Sequence, residues 1–549
     1  MTHPNYLRIK RLSSLAKVFP DRICGRTASS AEAAWGQAVS FQLALRLELA
    51  RYGQRELTVK IRTDLPADVS LFRVGNVPSE LPAYPDRKDK NYITDKPGLF
   101  PDPLFPIGDG RFTAAVGSWR ALWLSIAVKE GCPAGRYPVD VVLSHSGEEL
   151  ATARFFVTVH AVSPPSQKLI FTQWFHCDCI ADAHGVKVFS EAHWSLIEAY
   201  MRLAAAHGMN MILTPVLTPP LDTAVGTERP TVQLVDIERT DTGYRFDFSK
   251  LSRYVTLARA CGIEHFEINP FFTQWGAAHA PKVVAKVGNR QKRIFGWETD
   301  SQSEEYLAFL RALIPALITH LGSIGVKEEH IFFHVSDEPN AAHLETYRRL
   351  AAVLHPLIGA CRQIDALSDP TFLRDGLVRT PVVATNHIEP FLQANVEDLW
   401  CYYCCGQGVD VSNRFFAMPS ARTRIIGVQM YQYGIKGFLH WGYNFYYTQL
   451  SKRRIDPYCV TDGGAAFPSG DAFSVYPYED GAIPSLRQKV FAKALEDMRL
   501  LELAEEKLGR DTVIQQINTL AGMNITFSHY PNDERFFDDL YRFVFTSID

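Results

Sequence analysis

Ile331-Phe332-Phe333-His334-Val335-Ser336-Asp337-Glu338-Pro339-Asn340 is an apolar run that ends abruptly in two adjacent carboxylates. A short segment rich in Phe, Val and Ile reads as a buried parallel strand, covered by helices on both faces. The pre-proline restriction pushes Glu338 toward an extended conformation and places both acids where strand becomes loop, at the carboxyl end of the sheet. In barrels and open α/β sheets that edge carries the chemistry. A competing reading is that Ser336 and Asp337 merely cap the helix expected over residues 341–350.

The chain has 549 residues, more than one hydrophobic core usually serves, so two or three domains are expected. Lys plus Arg number 57 against 60 Asp plus Glu, a formal charge of -3 with no block of like charges. Nucleic acids and anionic membranes need a concentrated basic surface, so neither is an expected partner. The first thirty residues lack a signal-peptide pattern, and no uninterrupted apolar run of about 18 residues occurs. Ten cysteines in a chain this long are too sparse for a disulfide framework. The expectation is a soluble, cytoplasmic protein.

Residues 39–160 read as all-β. Phe41-Gln42-Leu43-Ala44-Leu45-Arg46-Leu47-Glu48-Leu49, Leu57-Thr58-Val59-Lys60-Ile61-Arg62 and Phe155-Phe156-Val157-Thr158-Val159 alternate with period two, and a hairpin is expected around Ser144-His145-Ser146-Gly147-Glu148. Such strands without intervening helices make an antiparallel sandwich, assigned to residues 1–165. A polar, proline-rich segment at 84–107 interrupts it and is expected to be an ordered lid. Beyond the linker Ser163-Pro164-Pro165-Ser166, strands alternate with helices. The strands are expected at 169–175, 210–214, 265–269, 331–335, 362–365, 382–385, 399–403 and 437–441, with a hairpin excursion around Thr240-Asp241-Thr242-Gly243. Eight such units over 166–484 predict a central (β/α)8 TIM-like barrel, an open doubly wound sheet being the alternative. Residues 485–549 read as a C-terminal helical segment.

Strand-end residues of a barrel converge on one pocket. They offer the carboxylates Asp178, Glu267, Asp337, Glu338, Asp365 and Glu389, with many aromatics beside them. That mixture suits a sugar, whose ring face stacks while its hydroxyls and glycosidic oxygen take polar partners. Trp275, Trp441, Tyr443, Asn444, Tyr403, Trp174 and Glu267 are expected to bind substrate. Strand seven ends Tyr402-Tyr403-Cys404-Cys405-Gly406, without the second carboxylate that retaining glycosidases usually hold about 5 to 5.5 Å from the acid. Asp337 and Glu338, adjacent on one segment, are better placed to work side by side on a substrate whose own acetamido group is the nucleophile.

Ser336-Asp337-Glu338-Pro339, Phe272-Thr273-Gln274-Trp275-Gly276, Gly437-Phe438-Leu439-His440-Trp441-Gly442-Tyr443-Asn444 and the Pro-Gly-Leu-Phe-Pro-Asp-Pro-Leu segment at 97–104 resemble the bacterial domain of unknown function 4091. That group is similar to glycoside hydrolase family 123, the β-N-acetylgalactosaminidases. The resemblance spans residues 84–497. It implies a sandwich, a barrel and an amino-sugar glycoside as substrate, with Glu338 as general acid and base and Asp337 orienting the acetamido nitrogen as an oxazolinium ion forms. Glu338 then has to stay protonated near neutral pH.

Two rivals stay open: a retaining glycosidase pairing Glu338 with Glu267 or Asp365, and a non-catalytic glycan-binding protein using the same aromatics. His176-Cys177-Asp178-Cys179 with His184 lacks the matched ligand pair of a zinc site, so no metal or other cofactor is expected.

Overall fold

The structure, a computed structural model, describes residues 6–548. Two five-stranded sheets open the chain. One is built from Leu7–Ser13, Ala38–Leu47, Arg120–Val128, Ala67–Ser79 and Gly98–Pro106, in that spatial order. The other is built from Ser30–Ala34, Glu148–His160, Gly135–His145, Gln54–Arg62 and Arg111–Ala115. Pairing is antiparallel except between Ser30–Ala34 and Glu148–His160. The alternation read from sequence puts Phe41, Leu43, Leu45, Leu57, Val59, Phe155 and Val157 into one shared core between the sheets.

The expected lid needs correcting. Gly98–Pro106 is a strand, paired with Ala67–Ser79 through Phe72↔Pro106, Asn76↔Pro101 and Val77↔Phe100. It lies at the end of its sheet, where prolines without N–H donors are tolerated. Asp102 on this strand is buried and takes Nε and Nη2 of Arg487, both at 2.8 Å, and the Tyr476 hydroxyl at 2.5 Å. The strand therefore ties the sandwich to the C-terminal helix Leu486–Leu508.

The second region is a nearly closed barrel of eight parallel strands. They are β1 Ile170–Gln173, β2 Met211–Thr214, β3 His265–Ile268, β4 Ile331–Phe333, β5 Arg362–Leu367, β6 Thr380–Ala384, β7 Trp400–Tyr402 and β8 Gly437–His440. The ladder runs from β1 to β8 and then in descending order to β2. Asn210 bridges the remaining seam: its Oδ1 accepts from Phe171 N at 2.7 Å and its Nδ2 donates to Leu169 O at 3.0 Å. One or more helices lie in every connection between consecutive strands. Gly437 is dictated by packing, because a Cβ there would lie 1.9 Å from the Trp400 ring on β7.

The long loops rise from the carboxyl ends of the strands. The expected hairpin, Asp236–Thr240 with Gly243–Asp247, joins a second one, Val283–Val287 with Arg290–Phe295, in a four-stranded sheet. The helix Glu304–Ser323 is long and apolar enough in composition to cross a membrane, and its Tyr306, Phe309, Leu313 and Leu317 lie in the core shared with the barrel strands. After β4 the helical turn is capped by Asn340, whose side chain accepts from Ala342 N, so Ser336 and Asp337 are not the cap.

Candidate active site

Beyond Phe333 the chain turns across the barrel mouth, and Asp365 of β5 fixes that turn. Its carboxylate accepts from Val335 N at 3.1 Å, Ser336 N at 3.2 Å, the Tyr347 hydroxyl at 2.5 Å and Gln363 Nε2 at 2.7 Å. Below the turn, Glu267 of β3 is fully buried and accepts from Thr172 Oγ1 at 2.8 Å, Trp174 Nε1 at 2.7 Å and His334 Nε2 at 2.8 Å. His334 sits between Glu267 and Asp365, its Nδ1 3.4 Å from the latter. Burial alone would lower this imidazole, but hydrogen bonds to Asp365 and Glu267 and their negative charges outweigh it and hold it at about 10. A charged histidine flanked by two acids thus forms the floor on which the adjacent carboxylates stand.

Above that floor, Asp337 and Glu338 border one hollow with Trp174, Trp275, Trp441 and Tyr402, about 640 Å³ counted to its open rim. Asp337 is 7 % exposed, and its Oδ2 accepts from Gln274 Nε2 at 2.6 Å. Burial first, then the charge of Glu338, push its carboxyl up to about 8. Glu338 is the exposed member of the pair: its Oε1 accepts from the Tyr402 hydroxyl at 2.8 Å and its N–H donates to Ala366 O at 3.1 Å. Its φ of 47° corrects the extended backbone expected before Pro339. Anchors on both the backbone and the side chain hold this sparsely populated conformation, as is common where geometry serves a site.

The aromatics divide into those that face the hollow and those that support it. Trp275 stands at the rim, 50 % exposed, with φ 55°. Trp441 gives its indole N–H to Asp471 at 2.8 Å and packs edge-on against Phe445 and Phe467, leaving part of its ring on the hollow. Trp174 borders it too, with its N–H committed to Glu267.

Four expected substrate contacts lie elsewhere. Glu267 is sealed beneath the turn. Tyr443 is buried, stacked on Phe175 and donating to Tyr200 O at 3.1 Å. Asn444 clamps the backbone of His176 through both ends of its amide. Tyr403 is buried against Phe438 and His440. Its neighbour Tyr402 faces the hollow instead, because successive strand residues point to opposite sides. Of the residues weighed as zinc ligands, Asp178 is paired with Arg229 at 2.6 and 2.7 Å, and His184 contacts Tyr200.

Sequence reasoning did not single out Tyr402, Gln274 or Asp222. Gln274 stands beside Trp275 in a quoted motif, and its amide links Asp222 N, at 2.5 Å from Oε1, to Asp337. Asp222 sits in the long loop after β2, where no periodicity marks it.

A model of the catalytic domain of glycoside hydrolase family 123 matches residues 174–504, more than half of the chain. The chain belongs to glycoside hydrolase family 123. The family 123 fold extends over the whole molecule: a family 123 glycoside hydrolase from Clostridium perfringens, studied for glycolipid glycan hydrolysis, superposes with a TM-score of 0.73 at 13% identity, covering 99% of this chain and 97% of that one. A β-D-glucuronidase from Dictyoglomus thermophilum reaches a TM-score of only 0.33 at 8% identity, covering 90% of this chain and 98% of that one. A family 5 xyloglucanase from Bacteroides ovatus reaches 0.31 at 8% identity, covering 85% and 98%. Comparison with curated protein sequences gives no match. As a family 123 member the chain is a glycoside hydrolase, and its substrate is a carbohydrate.

Proposed function

We propose that the barrel is a (β/α)8 catalytic domain that removes a terminal β-linked acetamido sugar, such as a β-N-acetylgalactosaminide, by a retaining mechanism in which the acetamido group is the nucleophile. The observation that carries this is the division of partners at the barrel mouth. Asp337 and Glu338 share the hollow with one carboxylate oxygen each left without a partner among the described residues. Glu267 and Asp365, the partners weighed for a two-carboxylate mechanism, are fully buried and saturated with donors.

The acetamide carbonyl oxygen bonds to the anomeric carbon as the glycosidic C–O bond breaks, and Glu338 gives its proton to the departing oxygen. The acetamide N–H meanwhile donates to Asp337, which favours the ionised form there and stabilises the positive charge of the oxazolinium ring. The proton that the adjacent pair retains is thereby left on Glu338. Water then adds to the anomeric carbon, Glu338 takes back a proton, and the ring opens to the acetamido sugar with its configuration retained. Trp275 at the rim supplies a stacking face.

The test uses Glu338→Gln and a thiazoline mimic of the oxazoline. The variant is expected to lose hydrolysis of glycosides with poor leaving groups by roughly 100- to 10,000-fold while keeping much more activity on those with good ones. The thiazoline is expected to inhibit the unaltered enzyme competitively. Uniform loss on all leaving groups together with indifference to thiazoline contradicts the reading.

A further inference from the structure

One acidic side chain in the hollow has no part in the chemistry above. Asp222 borders the same space as Asp337 and Glu338, reaching it from the loop after β2. Its backbone is held at both ends, the N–H by Gln274 Oε1 at 2.5 Å and the carbonyl by Ser451 Oγ at 2.6 Å. Its φ is 41°. One carboxylate oxygen, Oδ2, accepts from Leu450 N at 3.0 Å. The other, Oδ1, has no hydrogen-bond partner among the described residues and is not one of their sealed polar atoms, on a side chain that lines the hollow. Burial raises the carboxyl to about 6, opposed by the Leu450 N–H and the charge of Arg229. It is therefore mainly an anionic acceptor at neutral pH.

A fixed acceptor facing a sugar-sized space is matched by a hydroxyl group, the one donor that every sugar presents around its ring. Gln274 lies between the Asp222 backbone and the Asp337 carboxylate, so the two acids are held at a set spacing across the hollow. We propose that Asp222 is a specificity-determining residue that accepts a hydrogen bond from a ring hydroxyl of the terminal sugar, remote from the acetamido group held by Asp337. The proposal rests on the reading that this hollow binds a terminal sugar, and it names which side chain sorts one epimer from another. A site built to bond a hydroxyl discriminates strongly against analogues that lack it, because its buried polar group is left unpaired.

The positive φ decides the variants. Glycine and asparagine tolerate that backbone conformation, and neither removes the N–H that positions Gln274, so Asp222→Gly and Asp222→Asn test the carboxylate with the Asp337 clamp intact. The measurement is kcat/KM on an aryl glycoside that the enzyme hydrolyses and on counterparts lacking each ring hydroxyl in turn. For the unaltered enzyme, loss of the matched hydroxyl is expected to cost roughly 10- to 150-fold. In Asp222→Gly the same deletion is expected to cost less than about twofold, while the other deletions keep their effect. The proposal is overturned if every deoxy counterpart loses the same factor in variant and parent. It is equally overturned if Asp222→Gly abolishes turnover of all substrates and azide restores it, since Asp222 is then a nucleophile. Thiazoline affinity reports separately on the acetamido reading: indifference to thiazoline with the hydroxyl coupling present removes that reading and leaves Asp222 in its role.

Discussion

Burial and the neighbouring charge of Glu338 hold Asp337 up at about 8, so the adjacent pair keeps one proton at neutral pH and gives it up as the medium turns alkaline. In the proposed mechanism the protonated pair is the active form, so kcat/KM, which reports the free enzyme, is expected to fall as pH rises through about 8. A profile measured from about pH 5 to about pH 10 checks this, and one without an alkaline limb contradicts the shared proton. At this scale the sequence was half legible. The abrupt end of an apolar run in Asp337-Glu338 marked the two acids that border the hollow, and Trp174, Trp275 and Trp441 marked its aromatic walls. What sequence left open was which acid is buried: Gln274 and the barrel floor enclose Asp337, while Glu338 swings outward at φ 47°. Tyr403 was preferred to Tyr402 because a three-residue strand offers too little alternation to fix its phase.

At the scale of elements, the turn after β4 is held by charges below it rather than by the helix that follows. His334 lies between Glu267 and Asp365 and is held at about 10, above the 6.5 of the unfolded chain. Its folded value is the higher one, so its contribution to stability is complete below about 6.5 and is lost as pH rises through about 10. His334→Gln leaves two buried acids without a counter-charge and is expected to cost about 3–5 kcal/mol at pH 6, a deficit that shrinks toward pH 10. Thermal unfolding of both proteins across that range tests the sign, and a deficit that widens on the alkaline side contradicts it. The eight strands were legible because each is a short, almost wholly buried segment recurring between helical stretches, and β5 and β6, read as 362–365 and 382–385, extend over Arg362–Leu367 and Thr380–Ala384. The second hairpin, Val283–Val287 with Arg290–Phe295, was not: Arg290, Gln291, Lys292 and Arg293 are all exposed and leave its second strand without an alternating apolar face.

At the scale of the whole molecule, the proline-rich strand Gly98–Pro106 links the sandwich to the C-terminal helix through the buried Asp102–Arg487 pair. Removing one partner strands the other charge, so Arg487→Met is expected to cost about 3–5 kcal/mol in denaturant unfolding, and adding Asp102→Leu should recover a substantial part. Independent, additive losses would show that the pair does not join the two regions energetically. The sequence read this strand as a lid because Pro101, Pro103 and Pro106 are poor ladder residues, and only the sheet order reveals that they fall on an edge. The sandwich, the barrel strands and the terminal helices were otherwise evident from a change of hydrophobic period along the chain. All of this architecture serves one claim, that the bound sugar's own acetamido oxygen attacks its anomeric carbon. The most direct measurement is kcat/KM on a series of aryl β-glycosides whose N-acetyl methyl group carries successively more fluorine. A steep fall with each fluorine, as the carbonyl oxygen loses nucleophilicity, is the predicted result, and a flat series would contradict it.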